Sequence, residues 1–248
     1  AHIGAAGWFL SLIMGVGARL VPMFSLAHNL NLKPLQSAYW TLQSGLVIMI
    51  IQQMLGIHWL GFFSWGSLLI AIISYLLYIK SAYRKRMRKK PDTGMKITFS
   101  AFITLLIPVL IGSLLTWWQQ GGLGNEWSLI YGTTFILGLV GFLIIGQTFK
   151  TFPFITWMAQ IQPFAGKAKT PMPQDLVDSV LMISNVLTYA LGLLILLIGI
   201  ALQQVLIIQG GGLLLLIGTL LYNIGLYRVL AFAYKAKKSL SYGAANNA

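Results

Sequence analysis

Seven long apolar stretches dominate this chain, and they decide what it can fold into. A helix crossing the hydrocarbon of a bilayer needs roughly 20 consecutive apolar residues. The stretches 4–26, 35–55, 60–79, 97–118, 127–149, 176–202 and 205–232 each meet that requirement. The second is the most interrupted, by Gln43, Gln52 and Gln53. Of 248 residues only 8% are charged and 57% are hydrophobic, whereas a soluble domain carries about 25% charged residues. So few ionic groups cannot solvate a water-facing surface of this size; lipid is the solvent that suits the composition. The expectation is an all-α fold: a polytopic membrane helix bundle of about seven transmembrane helices forming one domain over 1–248. A basic loop is expected over 80–96 and a tail over 235–248.

The connecting segments fix an orientation. Lys80, Arg84, Lys85, Arg86, Arg88, Lys89, Lys90 and Lys96 lie between the third and fourth stretches. Lys150, Lys167 and Lys169 lie between the fifth and sixth, and Arg228, Lys235, Lys237 and Lys238 close the seventh. With seven crossings these groups share one side, joined by Arg19 and Lys33, while the other side carries Glu126. Lysine and arginine accumulate on the cytoplasmic face. The sequence therefore predicts a multi-pass protein of the cell (inner) membrane, with the N-terminus of this chain outside and the C-terminus in the cytoplasm. The net charge of +13 has this topological cause and gives no reason to invoke nucleic acid. The run Arg84, Lys85, Arg86, Arg88, Lys89, Lys90 is read first as a topology determinant, with anionic lipid headgroups as its alternative partner. Because the first stretch begins almost at Ala1, a further N-terminal segment is expected.

Small and polar residues recur on helical periods. Gly4, Gly7, Ser11, Gly15 and Ala18 line the first stretch; Asp178, Asn185, Gly192 and Gly199 line the sixth; Gly211, Gly218 and Gly225 line the seventh. Membrane helices associate by close backbone approach, which small residues permit. Pro22 and Pro108 lack an amide hydrogen and should kink their helices.

Few residues could carry chemistry. The chain has no cysteine, which removes disulfides, thiolate metal sites and cysteine nucleophiles. The four carboxylates, Asp92, Glu126, Asp175 and Asp178, all lie outside the middle of the apolar stretches, so no proton relay of the usual intramembrane kind is predicted. A polar pathway through Gln43, Gln147, Asn185 and Asn223 stays open. Arg19 precedes Pro22 by one turn and is expected to snorkel to headgroup depth, or to hold an anion. Of the three histidines, His28 lies about 39 Å of helix away from His2. His2 and His58 fall on the same outer side. A neutral imidazole ligates haem iron or a metal, so these two are the candidate haem ligands; the alternative is a pair of interfacial histidines bonded to loops.

Two segments resemble a known family. The opening AHIGAAGWFLSLIMGVGARLVPMFSLAH resembles the haem-ligand helix of bacterial proteins related to haem–copper oxidase subunit I, the cytochrome c and quinol oxidase polypeptide I superfamily. His2, Gly4, Gly7, Trp8, Phe9, Gly15, Val16, Leu20, Pro22, Met23, Phe24 and His28 carry the likeness, with Arg19 where the family often has lysine. The segment from Lys150 to Leu176, with KTFPFITW and GKAKTPMPQDL, is similar to a loop of the same family. The resemblance implies that His2 is an axial haem ligand near the outer face. The chain departs from the family where oxygen chemistry resides: it has no adjacent histidine pair and no histidine after His58. Oxygen reduction by this chain alone is not expected.

The functional expectations are, in order, a haem-binding membrane protein for electron transfer or gas sensing, a non-catalytic accessory or assembly subunit of a respiratory membrane complex, and a small-molecule or metal transporter. The expected partners are the lipid bilayer and either respiratory subunits or a second copy of the chain.

Overall fold

The structure, a computed structural model, describes residues 3–87, 93–118, 125–166 and 170–246. It is all-α, and no strand occurs among the described residues. A π-helical segment, Ile3–Leu10, leads into α1 (Ser11–Ser25), followed by α2 (Lys33–Leu55), α3 (Leu60–Arg84), α4 (Thr93–Thr104) and α5 (Leu106–Trp118). Then come α6 (Asn125–Thr133), a second π-helical segment (Thr134–Val140), α7 (Gly141–Gln160), α8 (Ser179–Ala201) and α9 (Val205–Asn246). Six helices are long and apolar enough to cross a membrane. The remaining long helix, α2, has 23 residues, roughly 35 Å, and its glutamines lower its hydropathy. The chain is a multi-pass membrane protein.

Several boundaries differ from the sequence reading for physical reasons. The fourth stretch is two helices broken at Leu105, because Pro108 offers no amide hydrogen to the Thr104 carbonyl. The segment expected as a basic loop over 80–96 is helical up to Arg84 and again from Thr93. The sixth helix starts at Ser179 instead of 176, since Pro173–Leu176 forms a separate 3-10 turn. The expected tail over 235–248 continues α9 to Asn246, as its alanines and lysines are good helix formers. At 42 residues, α9 spans roughly 63 Å, about twice the hydrocarbon thickness.

The chain divides into two compact units, Ala1–Pro91 with Phe99–Leu139, and Asp92–Thr98 with Val140–Ala248. In the first, α2 turns into α3 through Gly56, whose φ of 67° suits glycine. The two helices then pack closely, with the buried Ser64 hydroxyl donating to the Gly45 carbonyl at 2.9 Å. The core holds Val21, Leu42, Leu68, Ile72, Tyr75, Phe102 and Leu105. Pro22 leaves the Ala18 carbonyl without its helical donor, and the Tyr78 hydroxyl fills that gap at 3.0 Å.

In the second unit α8 and α9 form an antiparallel hairpin joined at Gln203, whose φ is 55°. The seven-residue spacing of the small residues keeps one face of each helix against the other along its length. An added Cβ at Gly192 would lie 2.8 Å from the Leu215 nitrogen, and one at Gly199 2.7 Å from the Ile208 nitrogen. The Asn185 amide, fully buried, donates to the Gly218 carbonyl at 2.6 Å. Beyond Arg228, α9 outruns α8 and packs Val229 and Ala233 on Ile161 and Leu176, with Phe152, Trp157 and Leu240 around them.

Candidate functional site

The candidate site is the end of the first unit that carries His58. α1 and α2 are antiparallel, and the Gln43 side chain reaches the Ser11 hydroxyl at 3.4 Å. Twelve residues beyond Gln43 α2 ends, and the turn through Gly56 to Trp59 follows; eight residues before Ser11 the first π-helical segment begins. Both therefore arrive at one end of the unit. His58 sits exposed in that turn, its carbonyl accepting from the Gly61 amide at 3.0 Å. His2 lies outside the described residues. His28 is exposed at the opposite end, just past α1.

One helical turn past His58 lies an apolar groove of about 210 Å³ between α3 and α5. Gly61, Phe62, Trp65, Gly66 and Leu69 line one side, and Val109, Leu110 and Ser113 the other. A Cβ at Gly66 would meet nothing within 4 Å, so its surface is flat and open. Trp65 closes the groove's floor: its ring packs into the notch left by Gly112 and meets Tyr131 edge-on at 6.3 Å. Ligand pockets usually measure about 300–1,000 Å³, so the groove is smaller than a typical ligand site. Its lining is apolar apart from Ser113, and His58 precedes it in the chain without lining it. Among the described residues no group of three or more His, Asp or Glu side chains converges to hold a metal ion.

The same end holds a feature that composition does not signal. The two π-helical segments meet through Phe9 and Phe135, whose rings are 6.4 Å apart and close to perpendicular. Such wide turns are rare and concentrate at functional sites.

The amides considered as a polar pathway are bonded locally. Gln147 donates to the Thr98 hydroxyl at 3.2 Å, and Asn223 donates back to the Thr219 carbonyl at 2.8 Å. Of the basic run, Lys85 donates to the Asn29 carbonyl at 2.5 Å, while Arg86 donates to the Tyr83 carbonyl and lies over the Tyr83 ring. Arg84 is exposed at the end of α3. Arg88, Lys89 and Lys90 lie outside the described residues.

In the segment from Lys150 to Leu176 the motif residues act structurally. The Trp157 indole donates to the Pro171 carbonyl at 2.6 Å, and Asp175 accepts from the Met172 amide at 2.8 Å. Sequence reasoning missed the partnership of Asp178 with Arg228, which lie 2.6 Å apart. Asp178 also caps α8, accepting from the Val180 and Leu181 amides. The Leu181 amide, with help from the Arg228 guanidinium, holds this carboxyl below the usual carboxylate range. A lowered value means that the cap stabilises fully above the ordinary aspartate range and fades as pH falls through the depressed one. Wild type and Asp178→Asn, unfolded by SDS in mixed micelles, should differ at neutral pH and converge in acid; an equal difference at every pH would refute this role.

No protein-family model matches the chain, and no curated protein or solved structure matches it. The fold defines a class, the multi-pass membrane proteins, and function rests on the site.

Proposed function

We propose that the chain is a haem-binding membrane protein of the oxidase-related kind, serving electron transfer or gas sensing. The observation that supports this reading is the apolar groove floored by Trp65 that begins one helical turn along the chain from His58, at the end of the unit where the helix following His2 begins. His58 would supply one imidazole and Phe62, Trp65 and Val109 the apolar wall. A bound haem supplies one-electron redox chemistry and a site for small gases. Phe62, Trp65 and Val109 would exclude water from one edge of it. The purified protein, reconstituted with haem, should show a Soret band that weakens in His2→Ala and in His58→Ala. A protein that remains colourless would sink the proposal.

A second reading is a non-catalytic accessory or assembly subunit. It draws support from the glycine-lined α8–α9 hairpin and from amides consumed in packing. Stable co-purification with oxidase subunits would favour it. A transporter ranks third, as the same amides bond within their own units. For all three readings we place the protein in the bacterial inner membrane with the end of α3 in the cytoplasm. A cysteine introduced at Met87 should react with impermeant reagent only in inverted vesicles; labelling in intact cells would reverse the orientation.

A further inference from the structure

The basic run at the end of α3 divides into two kinds of cation. Lys85 and Arg86 are spent on the protein: one holds the Asn29 carbonyl, the other the Tyr83 carbonyl and ring, and Arg86 forms an antiparallel bridge with Ala27. These contacts fold the end of α3 against the turn after α1. Lys80 and Arg84 are different. They stand four residues apart on one exposed face of α3, where like charges repel.

Among the described residues of the first unit no carboxylate stands near them. Glu126 is the one carboxylate of the first unit among the described residues. It opens α6, five residues before Tyr131, whose ring meets Trp65 near the start of α3. Fifteen residues of helix separate Trp65 from Lys80, roughly 22 Å. Below the two cations the same face of α3 is apolar and exposed: Leu77 (52%), Ile73 (45%) and Ile70 (52%). With 25 residues, roughly 38 Å, α3 exceeds the hydrocarbon thickness of about 30 Å, which puts its last turns at headgroup depth.

We propose that Lys80 and Arg84 hold the phosphate of an anionic phospholipid, whose acyl chain runs along Leu77, Ile73 and Ile70. The site is a headgroup clamp on α3, separate from the groove near His58. Two basic residues near a membrane surface correspond to about a thirty-fold preference for an anionic over a zwitterionic lipid. Native mass spectrometry of the full chain, titrated with phosphatidylglycerol and with phosphatidylcholine, should show that preference in the retained adducts. Lys80→Gln with Arg84→Gln should abolish it. Lys80→Arg with Arg84→Lys should keep it, as should Lys237→Gln with Lys238→Gln on α9. The proposal is overturned if the wild type shows no preference, if the preference survives in the Lys80→Gln, Arg84→Gln variant, or if excess inorganic phosphate strips the lipid and so marks a site for a free anion.

Discussion

Gly211→Leu should break the α8–α9 hairpin, with a loss of about 3 kcal/mol. Residues 210–212 are three consecutive glycines, and only the middle one is buried. A Cβ at Gly211 would lie 2.5 Å from the Leu196 nitrogen and 2.7 Å from its Cα. Those are backbone atoms of a facing helix, which cannot rotate away as a side chain can. Relief requires the helices to separate, and separation stretches the Asn185–Gly218 hydrogen bond of 2.6 Å. A buried amide that loses its partner inside a membrane has no water to turn to. The flanking glycines provide the control. At Gly210 and Gly212 an added Cβ meets nothing within 4 Å, and exchanging helical glycine for alanine there should gain up to about 1 kcal/mol. SDS unfolding of the three variants reads the contrast. Equal effects at 210, 211 and 212 would mean that close approach at Gly211 does not hold the hairpin.

That hairpin was legible in the sequence because its cause is periodic. Asn185, Gly192 and Gly199 on one helix and Gly211 and Gly218 on the other repeat every seven residues, and a regular contact between two helices leaves a regular trace. The apolar stretches were legible because the bilayer sets a minimum length for each. What could not be read came from partners distant in sequence. Pro22 announced an orphaned carbonyl, but nothing marked Tyr78, 60 residues away from Ala18, as its donor. Arg228 was counted among the topology-setting charges, and its pairing with Asp178 across 50 residues emerged only from the hairpin's register. The site was partly visible. His58 stands out as one of three histidines, whereas Gly66 looks in the sequence like any packing glycine and instead leaves the groove open. The π-helical segments carry no compositional mark, since a wider turn uses the same apolar residues.

A second glycine gives a prediction that tests a side chain, with a built-in rescue. Gly17→Ala in α1 should destabilise the first unit by about 2–3 kcal/mol, the range for overpacking a core. The added Cβ would fall 2.2 Å from the Tyr75 hydroxyl and 3.1 Å from Phe102, both fully or almost fully buried. Tyr75 cannot swing clear, because its ring stands edge-on against Phe102 at 5.3 Å. Among the described residues its buried oxygen has no hydrogen-bond partner, an arrangement that costs about 1–3 kcal/mol wherever it occurs. Tyr75→Phe alone should therefore raise stability, by about 1 kcal/mol. It also removes the worst clash, leaving the Tyr75 ring carbon at 3.5 Å, ordinary contact distance, and the Phe102 ring tip at 3.1 Å, which must give by a few tenths of an ångström. Gly17→Ala placed on the Tyr75→Phe background should then cost much less than in the wild type, and the double-mutant cycle should show strong positive coupling. Additive effects would mean that the notch at Gly17 is not filled by the hydroxyl. A stability loss in Tyr75→Phe would show instead that this oxygen makes a bond the protein depends on.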